Sequence, residues 1–327
     1  MPLSRETRRR LAALRRSAEA DTDDEAGEAP ALSVTALPAS ADASTGTRQP
    51  GREGLLPGHL RERLRARLAA PRQRGQGAVT QPAPEGARPT SPVALVGPPV
   101  DLENLLPGEV LTAPSGVCYV MRPHVATVSE WGEAVAETLV GQAPEALGLA
   151  HSDPIAFLDI ETTGLSALPV FLVGILHLRE GEVSLTQILA RDYPEEAGLL
   201  HQSVEALRGC RTLFTYNGAS FDLPYLSDRA VYHAVEFSLE AEHTDLLPLA
   251  RRRFRGAVPD CRLQTLERHV CGRDRGDDIP ASEIPQRYRD FVRSGDARLL
   301  ESVIRHNRLD LLTLAELLPH CLADGPG

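Results

Sequence analysis

Two carboxylates stand two residues apart in an otherwise apolar stretch, Phe157–Leu165, which reads FLDIETTGL. Side chains along a strand alternate between its two faces, so Asp159 and Glu161 would lie on the same face. Neighbouring carboxylates repel each other unless cations lie between them. Divalent ions such as Mg²⁺ or Mn²⁺ prefer oxygen ligands and would remove that repulsion, so the pair predicts a metal site. The alternative is an acid pair at a strand end that faces solvent.

A further carboxylate, Asp222, occurs in the segment TYNGASFDLP at residues 215–224. The Asn217-Gly218 pair permits a turn, after which we expect a helix with Asp222 in its first turn. At the end of a neighbouring strand it would lie beside Asp159 and Glu161. Taken alone, Asp222 could equally be a helix-start carboxylate that interacts with the helix dipole.

The last candidate acid is Asp310, in the helix-like segment IRHNRLDLL at residues 304–312. His306 precedes it by four residues, so the two side chains would share one helix face. A His and an Asp at this spacing are often only a surface pair. The combination of all three acidic segments, in this order, is much more specific than any one of them.

The elements that must position these residues form an α/β pattern. We predict strands at Ile155–Ile160, Val170–Leu178, Glu182–Ala190 and Thr212–Tyr216, and a helix at Glu195–Leu207. Glu180-Gly181 is predicted as the tight turn between the second and third strands. Antiparallel strands followed by alternating helices and strands predict a mixed β-sheet flanked by helices.

The chain divides by composition into three regions. Residues 1–92 are rich in Ala, Pro, Gly, Ser and Thr with very few aromatics, which predicts a largely disordered tail. Two Arg-rich stretches in the tail, Arg5–Arg16 and Leu60–Arg72, could be basic helices that dock on nucleic acid or a partner, or solvated charged helices. Residues 93–150 predict a small hairpin that turns at Pro114-Ser115-Gly116, then a helix at Trp131–Leu147. Residues 151–327 form the third region, with the acidic segments.

Composition also limits the class of protein. The chain has no apolar run of eighteen residues and no apolar core of a secretory signal at its start, so we expect no membrane association and a cytoplasmic location. The five cysteines are widely spaced without a CxxC pair, which favours buried thiols over disulfides or a zinc site.

Asp159 and Glu161, then Asp222, then Asp310 resemble in type and order the four metal-binding acids of DEDD exonucleases. More closely, residues 100–319 resemble the YprB-like family of ribonuclease-H-like proteins. The segments that carry this resemblance are FLDIETTGL, FLVGIL, TYNGASFDLPYL, HTDLLPLARRRFR, CRLQTLE, DDIPASEIPQRY and HNRLDLLTL. The resemblance implies a ribonuclease-H-like fold, divalent metals and hydrolysis of phosphodiester bonds in nucleic acid.

One position departs from the best-known DEDD subclasses. In one subclass a Tyr precedes the last Asp with three residues between the two. In the other subclass a His precedes the last Asp with four residues between the two. In this chain His306 precedes Asp310 with three residues between, which combines the spacing of one type with the side chain of the other. We expect His306 to act as the general base, because an imidazole of near-neutral pKa can accept the proton of water.

Several other residues are candidates for substrate contact. Thr162, Thr163 and Leu165 follow the two acids in the same motif. Tyr216 could stack on the terminal nucleotide, or belong to the core, and Asn217 could donate a hydrogen bond to it. Arg251, Arg252, Arg253 and Arg255 could grip phosphates or form a solvated face. Asp245 is expected to cap a helix rather than to bind metal.

Charge indicates the kind of nucleic acid. From residue 151 onward, 27 acidic residues outnumber 19 arginines, which disfavours tight binding of a long duplex. Together with the resemblance to DEDD exonucleases, this implies a 3′–5′ exonuclease that uses two metal ions on single-stranded 3′ ends of DNA or RNA. A structure-specific endonuclease on the same fold and a non-catalytic binding module are the alternatives.

Overall fold

The computed structural model describes residues 95, 97–128, 131–147, 153–164 and 168–322. These residues all belong to one compact unit. The predicted tail, with its two Arg-rich stretches, lies outside the described residues.

A seven-stranded sheet runs through the described part of the chain, in the order β1-β2-β5-β4-β3-β6-β7. The strands are β1 (Glu109–Ala113), β2 (Gly116–Met121), β3 (Ile155–Thr162), β4 (Val170–Arg179), β5 (Glu182–Leu189), β6 (Thr212–Thr215) and β7 (Glu242–Asp245). Strands β1 to β5 pair antiparallel, whereas β3, β6 and β7 pair parallel. The sheet is therefore mixed, as predicted, and β3 lies where the two modes of pairing meet.

Eight α-helical segments are described around the sheet. They are α1 (Leu102–Leu105), α2 (Gly132–Leu147), α3 (Glu196–Leu207), α4 (Asp222–His233), α5 (Leu246–Phe254), α6 (Leu263–Leu266), α7 (Ile284–Ser294) and α8 (Arg298–Leu322). A π-helical turn, Glu267–Cys271, follows α6 directly. Helix α8 is the longest of them, with 25 residues, and it packs against β3 and β4.

The alternation of side chains along β3 separates two cores. Ile155 and Phe157 pack on the face that α2 and α8 cover. Ala156, Leu158 and Ile160 pack on the opposite face, against α3 and α4. Asp159 and Glu161 continue the first set, so both carboxylates point toward α8. The prediction that they share a face is confirmed.

The turns form where the sequence places them. Glu180 and Gly181 have φ of 54° and 80°, the left-handed pair that closes a tight hairpin between β4 and β5. The hairpin of β1 and β2 turns at Pro114-Ser115, and β2 pairs with β5, so the hairpin belongs to the same sheet as the acidic segments. Within the described residues, the predicted strands and helices are present, with ends that differ by one or two residues.

No helix of the described residues is long and apolar enough to cross a membrane. The five cysteines are free thiols: Cys118, Cys210 and Cys321 are buried, and Cys261 and Cys271 are partly buried.

His177 on β4 gives the fold a pH dependence. Its Nε2 lies 3.0 Å from the carbonyl oxygen of Ala206 in α3, and burial lowers the pKa of the imidazole to about 4. Because the unfolded chain takes up this proton near pH 6.5, the contribution of His177 to stability is present above pH 6.5 and lost as the pH falls toward 4.

We therefore expect His177→Gln, which stays neutral, to reduce the loss of unfolding free energy between pH 6.5 and pH 4 by on the order of 2 kcal/mol. Urea denaturation at several pH values measures this difference. His124→Gln, at an exposed position, is the matched control. Parallel pH profiles for wild type and His177→Gln would contradict the assignment.

Candidate active site

The four predicted acids come together at one end of β3. Asp159 and Glu161 lie near the carboxyl end of the strand, Asp222 is the first residue of α4, and Asp310 lies on α8. Asp222 is only 5% exposed, and Asp159 and Glu161 are partly buried. Each carboxylate lies within the electrostatic reach of others in the group. The ends of β3 and β6 lie side by side here because parallel strands end at the same edge of a sheet.

Burial and mutual repulsion disfavour the charged form of these acids. Burial raises the pKa of Asp159 well above its usual value, and the charges of Asp310, Glu161 and Asp222 raise it further. Burial also raises the pKa of Glu161 to about 8, although the nearby His306 opposes the shift. Since each ionised acid makes the next ionisation harder, the group has a strong electrostatic demand for cations.

Asp222 is held by the turn that precedes it. Asn217 has φ of 63°, and its backbone N–H donates to Oδ1 of Asp245, at 2.8 Å. Asp245 also accepts from the backbone of Leu247 and so caps α5, which was the predicted role. Burial raises the pKa of Asp222 to about 7, and the charge of Asp245 adds to this effect.

His306 faces two carboxylates. Its Nδ1 lies 2.8 Å from Oδ2 of Asp278, and its Nε2 lies 3.5 Å from Oδ2 of Asp310. Burial lowers the pKa of the imidazole, but the hydrogen bond to Asp278 and the charges of Asp310 and Glu161 outweigh burial and raise the pKa. Asp278 therefore fixes the ring from behind, in the manner of an acid that orients a catalytic histidine.

Arg275, like Asp278, is a residue of the site that sequence reasoning missed. It is 7% exposed, and its Nη1 lies 2.5 Å from Oδ1 of Asp310, without the alignment of a hydrogen bond. The same guanidinium donates to Glu267, at 2.7 Å, and to Thr313, at 3.2 Å. A permanent positive charge thus lies directly against one of the four acids. Asp278 lies in the segment DDIPASEIPQRY, and Arg275 lies just before it. This segment is the one signal in the sequence that could have pointed to these two residues.

Asn307 contacts Asp159 from α8, and it too was missed. Its Nδ2 donates to Oδ2 of Asp159, at 2.8 Å. Gln187 of β5 in turn donates to Oδ1 of Asn307, also at 2.8 Å. Both amide side chains are fully buried. No local pattern marks a contact between residues 148 positions apart, although Asn307 lies inside the quoted segment HNRLDLLTL.

The threonines of the first motif point inward. Thr162 and Thr163 are 9% and 5% exposed. Their hydroxyls donate to the carbonyl oxygens of Gly164 and Pro169, so they hold the loop after β3. Leu165 lies outside the described residues.

Tyr216 packs against the core, and its hydroxyl donates to the carbonyl oxygen of Cys261. This is the core alternative that the sequence left open. Asn217 is exposed beside Asp222. Arg251 and Arg252 are exposed and Arg253 is half-buried, in the last turn of α5. They lie roughly 9–12 Å along the helix from Asp245, since a helix rises about 1.5 Å per residue.

The donor chemistry of the site fits a hard divalent cation, because all four acids supply oxygen ligands. Among the described residues, however, no group of three His, Cys, Asp or Glu side chains is spaced to hold a metal ion. In this arrangement Arg275 lies against Asp310, and Asn307 holds Oδ2 of Asp159. A cation that binds all four acids would require Asp310 to turn from Arg275, whereas Asp159 would offer its other oxygen.

The fold and the sequence also match known proteins. Residues 156–322 match the family model of the RNase H superfamily. The chain belongs to the RNase H superfamily. The matched range contains all four acids and His306, and it confirms the expected fold and family. The protein YprB of Bacillus subtilis (strain 168) is 32% identical over 186 residues, which are 53% of this chain and 45% of YprB. The chain thus spans less than half of the length of that relative.

Among solved structures, this RNase H superfamily chain is similar to the family B DNA polymerase from Pyrobaculum calidifontis, with a TM-score of 0.43 and 16% identity, over 52% of this chain and 24% of the polymerase. It is also similar to the zinc-bound complex of E. coli exonuclease I with single-stranded DNA, with a TM-score of 0.31 and 16% identity, over 47% of this chain and 43% of the exonuclease.

The raised pKa of Asp222 predicts how stability depends on pH. An acid that ionises near 3.8 when unfolded but near 7 when folded costs stability as the pH rises between these values. We expect metal-free Asp222→Asn to be more stable than wild type at pH 8, by at least about 1 kcal/mol, and to match it at pH 4.

Thermal unfolding in EDTA at both pH values tests this expectation. Asp228→Asn, at an exposed position of the same helix, is the control. Equal destabilisation of Asp222→Asn at pH 4 and pH 8 would show that the carboxylate has a structural role instead.

Proposed function

We propose that this chain is a metal-dependent nuclease that removes nucleotides from single-stranded 3′ ends. In this proposal Asp159, Glu161, Asp222 and Asp310 hold two Mg²⁺ or Mn²⁺ ions. The observation that carries it is the group of buried and partly buried carboxylates that raise one another's pKa, at the strand ends of an RNase H superfamily fold. Outside a cation site, such a group would only cost stability.

Divalent ions, when bound, would make water more acidic and stabilise the oxygens that attack and leave at the phosphate. The chain's own residues do the rest. The acids would hold the cations, and His306 takes a proton from the attacking water. Asp278 keeps the imidazole in one orientation, because it binds Nδ1 at 2.8 Å and leaves Nε2 on the side of Asp310.

The surroundings of the acids favour an end over a long duplex. Asn217 is exposed five residues before Asp222, which supports it as a candidate to contact the terminal nucleotide. Arg251, Arg252 and Arg253 are candidates to grip phosphates farther from the acids. The excess of acidic residues from residue 151 onward repels a long polyanion, whereas a short single strand meets this repulsion over few phosphates.

The decisive assay uses purified protein with Mg²⁺ or Mn²⁺ and end-labelled single-stranded DNA and RNA, with products sized over time. We expect stepwise shortening from the 3′ end that EDTA stops. Asp159→Asn and Asp222→Asn should each abolish it, because each removes a charged ligand, while circular dichroism stays unchanged. Asp228→Asn should keep full activity.

Full activity in excess EDTA, or in Asp222→Asn, would refute the two-metal assignment. Cleavage of a circular single strand would show that the site acts as an endonuclease. Binding of nucleic acid without any product would identify a non-catalytic module.

The role of His306 is tested by its pH profile. Its raised pKa means that the imidazole is charged at lower pH and becomes a base only as the pH rises. We expect the rate to rise with pH through one ionisation, and His306→Ala to lose this ionisation together with roughly 10²–10⁴-fold in rate. His306→Tyr should keep partial activity without the ionisation, since a phenol at this spacing can orient water. His320→Ala, at an exposed position of the same helix, is the control. A near wild-type rate and profile in His306→Ala would leave the cations alone to generate the nucleophile.

A further inference from the structure

Three residues on adjacent strands lie in one row beneath α8. Asp159 of β3 pairs with Gly174 of β4, and Gly174 pairs with Gln187 of β5. In the middle of this row the side chain of Asn307 fills the space above Gly174. A Cβ added to Gly174 would lie 2.1 Å from Oδ1 of Asn307 and 2.7 Å from Cδ1 of Leu311. The glycine is thus required by the close approach of the helix, and its absent side chain lets Asn307 reach the strand.

The hydrogen bonds along this row run in one direction. The Nε of Arg308 donates to Oε1 of Gln187, and Nε2 of Gln187 donates to Oδ1 of Asn307. Nδ2 of Asn307 then donates to Oδ2 of Asp159, at 2.8 Å, and more weakly to its carbonyl oxygen, at 3.3 Å. We call these four residues the amide chain.

The arginine end of the amide chain fixes the orientation of both amides. A guanidinium can only donate hydrogen bonds. Gln187 must therefore turn its oxygen to Arg308 and its nitrogen to Asn307, and Asn307 must turn its nitrogen to Asp159. Arg308 is half-buried and has no carboxylate within 4.0 Å among the described residues, and the amide chain links it to Asp159.

We propose that Asn307 is a positioning residue of the metal site: it holds Oδ2 of Asp159 against α8 and leaves the other oxygen, Oδ1, for a cation. This inference rests on the proposed function. Within the described residues Oδ1 of Asp159 accepts no hydrogen bond, whereas Oδ2 is held by a buried donor. A fixed carboxylate loses less freedom when it binds a cation, so the amide chain should increase metal affinity without touching substrate.

The test measures Mn²⁺ binding by isothermal titration calorimetry, well below the thermal transition. Asn307→Leu keeps most of the volume but removes both hydrogen bonds to Asp159. Gly174→Ala removes no polar group, but its added Cβ pushes the side chain of Asn307 away from Gly174. We expect either variant to weaken Mn²⁺ binding by roughly 10–100-fold, the usual effect of losing a partner of a metal ligand. The kcat at fixed Mn²⁺ should fall, while the KM for a short oligonucleotide should stay unchanged.

Asn104→Leu and Gly141→Ala are the matched controls, since Asn104 is exposed and a Cβ on Gly141 meets nothing within 4 Å. If Asn307→Leu does not fold, Gly174→Ala decides the question. Lower thermal stability with unchanged Mn²⁺ affinity in the variants would overturn the positioning role and leave the proposed function intact. No uptake of Mn²⁺ by the wild-type protein would overturn both.

Discussion

Repulsion among four carboxylates, one buried and three partly buried, is the constraint to which the rest of the structure responds. Asp159, Glu161, Asp222 and Asp310 share a partly dehydrated space at the edge of an apolar sheet, where each raises the cost of ionising the others. The fold offsets part of this cost without metal, since Arg275 lies against Asp310. The remaining negative charge is what a divalent cation would neutralise, so the repulsion among the acids and the cation affinity of the proposed site have the same origin.

The strand β3 supports this arrangement because it serves two purposes along its length. Its first residues, such as Phe157, anchor it in a core between the sheet and α8. Near its end, Asp159 and Glu161 lie on the same face of the strand, where acids take the place of apolar side chains. Hydrophobic burial at one end thus holds the like charges together at the other, and no loop of its own is needed to place Asp159 and Glu161.

Local signals in the sequence were enough for the framework and for the acids. The alternation in FLDIET, the Glu180-Gly181 turn and the Asn217-Gly218 turn each depend on neighbours a few residues away, and each was predicted. The partners of the acids were not predicted, because they join residues about 30 to 150 positions apart. Tyr216 shows the remaining ambiguity, since an aromatic residue at a strand end reads the same whether it packs inward or faces a ligand. Burial decides between these, and burial is a property of the whole fold.

Helix α8 carries His306, Asn307 and Asp310 on a single rigid body that is also part of the core. Each residue of a helix adds about 100° of rotation. One residue inserted between His306 and Asp310 would therefore turn the two side chains to different faces of α8. Loops between elements have no helical phase of this kind to keep. During divergence, the number of residues between functional positions within one segment should therefore stay fixed, while the loops between segments vary in length.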